Sequence, residues 1–286
     1  MQRSRSIFFL LALLGTLAAL AAPADASYFG KNKVRSRALV WSVLETTHFE
    51  VHFYAGEEAA ADAAAAMAEE AYARLAETLR HEIARKVPVI LYASHSDFQE
   101  TNITSELIDT GTAGITDFQR RRVFLPFTGS YADLRHVLTH ELVHAFQIDI
   151  LFGGSGGPRV NPFSLRVPLW MMEGMAEYLS LGGIDSQTSM WLSDACHSGR
   201  LLSIGELGRV FDIRVYRHGQ AIWAAIAREH GDGACGDVLR AVVAEGSAEK
   251  GIKKALGVSL DELSEKWVAE TNRAYLPRIA DRKRPC

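Results

Sequence analysis

Two histidines four residues apart enclose a glutamate in His140-Glu141-Leu142-Val143-His144. Four residues advance a helix by about 400°, so on a helix both imidazoles share one face. Glu141, offset by about 100°, leans over whatever the imidazoles hold. That pattern is a zinc site with its own base, and its chemistry is hydrolysis. The pentapeptide alone is only moderately specific, arising by chance in roughly one chain of this length in a hundred, so its surroundings must carry the rest.

The surroundings predict a helix. Ser130 and Asp133 form an S-x-x-D start signal, apolar residues recur at helical spacing from Leu134 to Ile148, and Gly153-Gly154 ends the run. Downstream, Pro168-Leu169-Trp170-Met171-Met172-Glu173-Gly174-Met175-Ala176-Glu177-Tyr178 sets two glutamates four apart on one face of a second helix. Acids within so apolar a run are poor candidates for a solvated face. A catalytic zinc needs three protein ligands and an open position, and Glu173 completes a set with His140 and His144. Ligating histidines usually give their other N–H to a carboxylate, a role that Glu177 is placed to fill.

With these motifs the chain resembles the gluzincin branch of zinc metallopeptidases, nearest the bacterial peptidase MA-like group, from His48-Phe49-Glu50-Val51-His52-Phe53-Tyr54 through Tyr216-Arg217-His218-Gly219-Gln220-Ala221-Ile222-Trp223. The resemblance implies Zn²⁺ on His140, His144 and Glu173, Glu141 as general base, and Tyr216 as a donor that steadies the oxyanion, with His218 able to donate to the same atom. It also implies an α+β, zincin-type fold of two lobes. Residues 27–150 would form an N-terminal lobe of mixed sheet and helices ending in the HExxH helix, and residues 151–286 a helical lobe carrying Glu173, with the cleft between. The strand within Gly111–Phe118 would be the sheet edge along which an extended peptide lies.

Two departures bear on activity. The spacer between His144 and Glu173 is longer than in related aminopeptidases and contains Gly153-Gly154-Ser155-Gly156-Gly157-Pro158, either a lid over the cleft or a flexible connection. Those aminopeptidases hold the substrate's amino terminus with a glutamate, whereas the corresponding stretch here is Gly111-Thr112-Ala113-Gly114-Ile115-Thr116. Lacking that acid, the chain reads as an endopeptidase.

Residues 1–26 read as a secretory signal peptide: Arg3 and Arg5, an apolar run from Ile7 to Ala22, then Ala24-Asp25-Ala26. The run is short for a spanning helix and no second one follows, so the mature chain is expected to be periplasmic or extracellular without an integral span. Removing Arg3, Arg5 and Asp25 moves the formal charge from −3 to −4, which excludes a basic nucleic-acid binder. Arg120-Arg121-Arg122 reads as a solvated turn. The resemblance implies a peptide or protein substrate as the partner. The competing class is a non-catalytic module that binds a cell-envelope polypeptide, and the intact Glu141 argues against it.

The elements around these motifs follow from periodicity. His48–Tyr54 alternates as a strand, Glu57–Lys86 is an alanine-rich helix, and Val87–Tyr92 is a second strand, a β-α-β start. Gly111–Phe118 and Val123–Phe127 are short strands leading to the metal helix. Beyond Gly182-Gly183 the pattern is helical over 188–196, 219–230, 233–243 and 260–275. Cys196 and Cys235 are as compatible with free burial as with a bridge. His136 shares the face of His140 and His144 but reads as packing around them. His48 and His52 lie about 13 Å apart along a strand, too far to chelate one ion.

Overall fold

A computed structural model describes residues 35, 38–102, 107–118, 120–153 and 165–279. The expected signal segment, residues 1–26, Gly154 to Pro158 of the glycine-rich spacer, and Cys286 lie outside the described residues.

Five strands form one mixed sheet: β1 (Trp41–Glu45), β2 (Phe49–Tyr54), β3 (Val87–Tyr92), β4 (Ile115–Asp117) and β5 (Arg122–Pro126), in the order β1-β2-β3-β5-β4. The three inner strands run parallel, while β1 and β4 pair antiparallel at the edges. Period-two burial explains the inner strands: Phe49 and Val51 on β2, and Val87, Val89 and Leu91 on β3, all turn to one core. The crossover from β2 to β3 is α1 (Glu58–Leu79), whose buried alanines, with Tyr72, Leu75 and Leu79, form the apolar stripe. It ends earlier than the expected Lys86, because Arg80 takes a left-handed conformation (φ 50°) and its N–H caps the carbonyls of Ala76 and Glu77.

The rest is helical apart from the edge strands. A single turn, α2 (His95–Phe98), precedes β4, and α3 (Tyr131–Phe152) follows β5. Then come α4 (Leu169–Leu181), α5 (Ser186–His197), α6 (Ile204–Leu207), α7 (Arg214–His230), α8 (Ala234–Glu245), α9 (Ala248–Leu256) and α10 (Leu260–Tyr275), with a 3₁₀ turn at Leu276–Ile279. The fold class is α+β, as expected. One continuous core runs from Phe49 on the sheet through Trp170 and Trp223 to Trp267 and Tyr275. No described helix is long and apolar enough to cross a membrane. Cys196 and Cys235 are both buried and free.

α3 is the central helix: every residue from Leu138 to Asp149 is buried. Ser130 caps it as the sequence predicts, its side chain accepting from the Asp133 N–H. Its other end corrects the reading of the arginine run. Arg120 and Arg121 form the turn before β5, as expected, but Arg121 is only partly solvated: its guanidinium pairs with the buried Asp149 and donates to the Gly153 carbonyl at 2.6 Å. Its backbone adopts a positive φ of 54° to make that reach. His81 completes the clamp, its Nε2 2.7 Å from Asp149. Arg122 pairs with Asp117 at 2.9 Å across the β4–β5 hairpin.

Candidate metal centre

α3 supplies two of the site's groups and α4 the third. His140 Nε2 and His144 Nε2 lie 3.2 Å apart, and Glu173 Oε2 lies 3.2 Å from the first and 3.1 Å from the second. Among the described residues these form the one cluster able to offer three ligand atoms to a single metal ion. The electrostatics match. Burial opposes charge on both groups, yet the neighbouring imidazoles hold the Glu173 carboxyl well below the usual carboxylate range. Burial likewise works against a proton on His144, but the Glu173 carboxylate overrides it and pushes the imidazole up to about 9. Without a metal, the site balances its buried carboxylate with a proton. A divalent cation held by these three residues would supply that charge instead, and its binding would release protons.

The supports differ in part from expectation. Glu177 lies beside His140, with its Oε1 3.8 Å from Nδ1, a contact longer than a hydrogen bond. Its other oxygen lies 3.8 Å from His136 Nε2 and 3.6 Å from Arg217 Nη1. His144 is the better-held histidine, through a residue the sequence reading missed. Gln147, fully buried one turn further along α3, has Oε1 2.8 Å from His144 Nδ1, and its amide donates to the Met172 carbonyl at 3.0 Å. One side chain thereby fixes the imidazole and joins it to the helix carrying Glu173. The signal was the i, i+3 spacing of His144 and Gln147. If the cluster holds a metal ion, Gln147→Leu is expected to weaken its binding by roughly 10- to 100-fold with the fold retained, measurable by chelator competition.

Glycines set the approach of the second helix. α4 crosses α7 at Gly174 and Gly219, where a methyl on Gly174 would stand 2.3 Å from the Gly219 carbonyl carbon. No backbone carbon can yield that far in place, so Gly174→Ala must part the helices. We expect it to destabilise the protein by about 1–3 kcal/mol in denaturant unfolding. The substitution should also displace Glu173, the adjoining residue, from His140 and His144.

Glu141 is held against the sheet edge. Thr116 Oγ1 of β4 lies 2.5 Å from Glu141 Oε2 and 3.1 Å from its carbonyl oxygen. Gly114 leaves room for the carboxylate, since a methyl there would meet Oε1 at 2.8 Å. Tyr216 stacks on His140, with ring centres 6.1 Å apart and planes within 20°. Burial, reinforced by Glu173 and Glu141, pushes its phenol up, so the hydroxyl keeps its proton near neutrality. Tyr216 lies within the first turn of α7 rather than ahead of that helix. His218, offered as a second donor, is not at this site. Two residues on, it turns to the other side of α7, is buried against Trp267 at 6.1 Å, and does not line the cleft. Burial pushes its imidazole down to about 4.

His140, Glu141, His144, Glu173, Glu177 and Tyr216 all open into one cleft of about 990 Å³ between β4 and the helices α3, α4 and α7, with Gln147 buried behind them. The arrangement can bind a cation, hold a carboxylate base beside it and present a neutral phenol to a bound group. No family model matches the chain, and no curated protein matches it.

Proposed function

We propose that the chain is an exported zinc metallopeptidase of gluzincin type, built as a zincin with two lobes around its cleft, and that it cleaves internal peptide bonds. The observation that carries the proposal is the convergence of His140, His144 and Glu173 within 3.2 Å of one another, in the same cleft as Glu141. Two imidazoles, a carboxylate and room for a further group suit a catalytic zinc. Bound zinc would lower the pKa of its water to about 7 and polarise a carbonyl oxygen.

The chain's own residues supply the rest. Glu141, oriented by Thr116, accepts the proton of the attacking water and delivers it to the departing amine. Tyr216 donates to the carbonyl oxygen as negative charge develops there. Among the described residues β4 is an edge strand of the sheet along the cleft, where an extended peptide can add as a further strand irrespective of its side chains. Asp109, the acid just before this edge, is occupied by the Gly111 N–H at 2.7 Å and the Thr112 hydroxyl at 3.3 Å. The edge itself, Gly111 to Thr116, carries no acid to hold a substrate's amino terminus, which supports endopeptidase over aminopeptidase. A binding-only module has no use for a base held as Glu141 is.

The test is metal analysis of purified protein together with cleavage of an unbiased peptide mixture. Tyr216→Phe, which removes only a hydroxyl, is expected to lower kcat by about 10²- to 10³-fold with little change in KM. A metal-loaded protein inert towards every peptide would end the proposal.

A further inference from the structure

The cleft differs at its two ends, and α3 orders them. The helix lines the cleft from His136 to Phe152, about 24 Å at 1.5 Å per residue, with His140 and His144 between. At the His136 end stand Glu177 and Arg217, which are charged. α4 runs antiparallel to α3, with Glu177 by His136, Glu173 by His144 and the Met172 carbonyl accepting from Gln147. The cleft-lining residues that precede Met172 in the chain, Leu169, Val167 and Leu165, therefore continue towards the Phe152 end and are apolar. Val167 and Leu169 are only half-buried, so their side chains border the open space.

The sheet edge runs along α3 in the same direction. Gly114 lies against Val137 and Glu141, Thr116 against the Glu141 carbonyl, and Arg121 reaches Asp149 and Gly153. Phe118, between Thr116 and Arg121 in sequence, therefore falls towards the apolar end. It also lines the cleft, and 56% of its surface is exposed. A large exposed aromatic that shares its cleft with several aliphatic side chains is a pocket wall lacking its filling.

On the peptidase reading above, we infer that this end selects a bulky apolar side chain on the residue immediately N-terminal to the cleaved bond. Direction follows from strand pairing. A peptide adding to β4 in the antiparallel sense, the more stable pairing, runs from the apolar end towards the His136 end. Its acyl-side residue then lies by Met172 and Leu169, and its amine side points towards His136 and Arg217. The substrates are thus unfolded polypeptide segments whose apolar residues are accessible.

The experiment gives zinc-loaded protein an unbiased peptide mixture and reads the cleaved bonds by mass spectrometry, for wild type, Phe118→Ala and Leu169→Glu. Leucine, phenylalanine or methionine before the cleaved bond should be favoured over alanine by about 10- to 200-fold in kcat/KM. In both variants that ratio should fall at least about tenfold, with zinc content and circular dichroism as in wild type. Should Leu169→Glu fail to fold, Phe118→Ala keeps the test, because its side chain is exposed. Cleavage indifferent to the acyl-side residue, an apolar preference on the amine side, or an undiminished preference in the folded variants would overturn the inference while leaving the peptidase reading intact. Absence of any cleavage by metal-loaded protein would instead overturn that reading, and the inference with it.

Discussion

Glu141→Gln is expected to retain zinc and fold while losing peptide cleavage by at least about 10²- to 10⁴-fold. The substitution keeps the shape of the side chain and the three candidate ligands and removes only the basicity. The amide can still accept from the Thr116 hydroxyl, which lies 2.5 Å from the native carboxylate, so the β4 contact need not be lost. Unchanged cleavage with full zinc occupancy would remove Glu141 from the role of base.

Glu173→Ala is expected to lose most of its zinc, since two imidazoles alone would then hold a doubly charged ion. Glu177→Ala, which leaves all three candidate ligands in place, should weaken binding less, by roughly 10- to 100-fold. Zinc content and chelator competition measure both, and full occupancy in Glu173→Ala would refute the ligand assignment. The metal-free proteins carry a second signature. His144 is raised from 6.5 to about 9, so its stabilising contribution is fully present below 6.5 and is lost as pH rises through about 9. Glu173 is depressed from 4.5, so its contribution is present above 4.5 and is lost as pH falls through its lowered value. The stability difference between metal-free wild type and Glu173→Ala should therefore be largest between 4.5 and 6.5.

The site was legible in the sequence where its signals are local. Ser130, Asp133 and the apolar spacing after them mark α3, and the Glu173–Glu177 spacing marks α4, because caps and periodicity act within a turn or two. What stayed hidden depends on distant partners. Arg121 reads as solvated until Asp149, 28 residues away, is brought to it. Tyr216 reads as preceding a helix because Gly219 looks like a boundary, whereas that glycine is the contact that lets α7 meet α4. β1 was missed because its Trp-Ser-Val-Leu-Glu run is largely exposed and lacks clean alternation. α9 was missed because Gly251 interrupts its pattern, yet that glycine packs directly on Val242 of α8. His218 looked available beside Tyr216, but two residues on a helix turn a side chain by about 200°, towards the opposite face.

The central claim is that these three residues hold one zinc ion that enables peptide hydrolysis. Its most direct test strips the purified protein of metal and restores zinc stepwise while peptide cleavage is followed. Cleavage should rise in proportion to added zinc and level off at one equivalent in wild type, and stay at background throughout in Glu141→Gln although that variant takes up the same equivalent. Cleavage that is independent of zinc, or wild-type protein that binds its equivalent and cleaves nothing, would contradict the account.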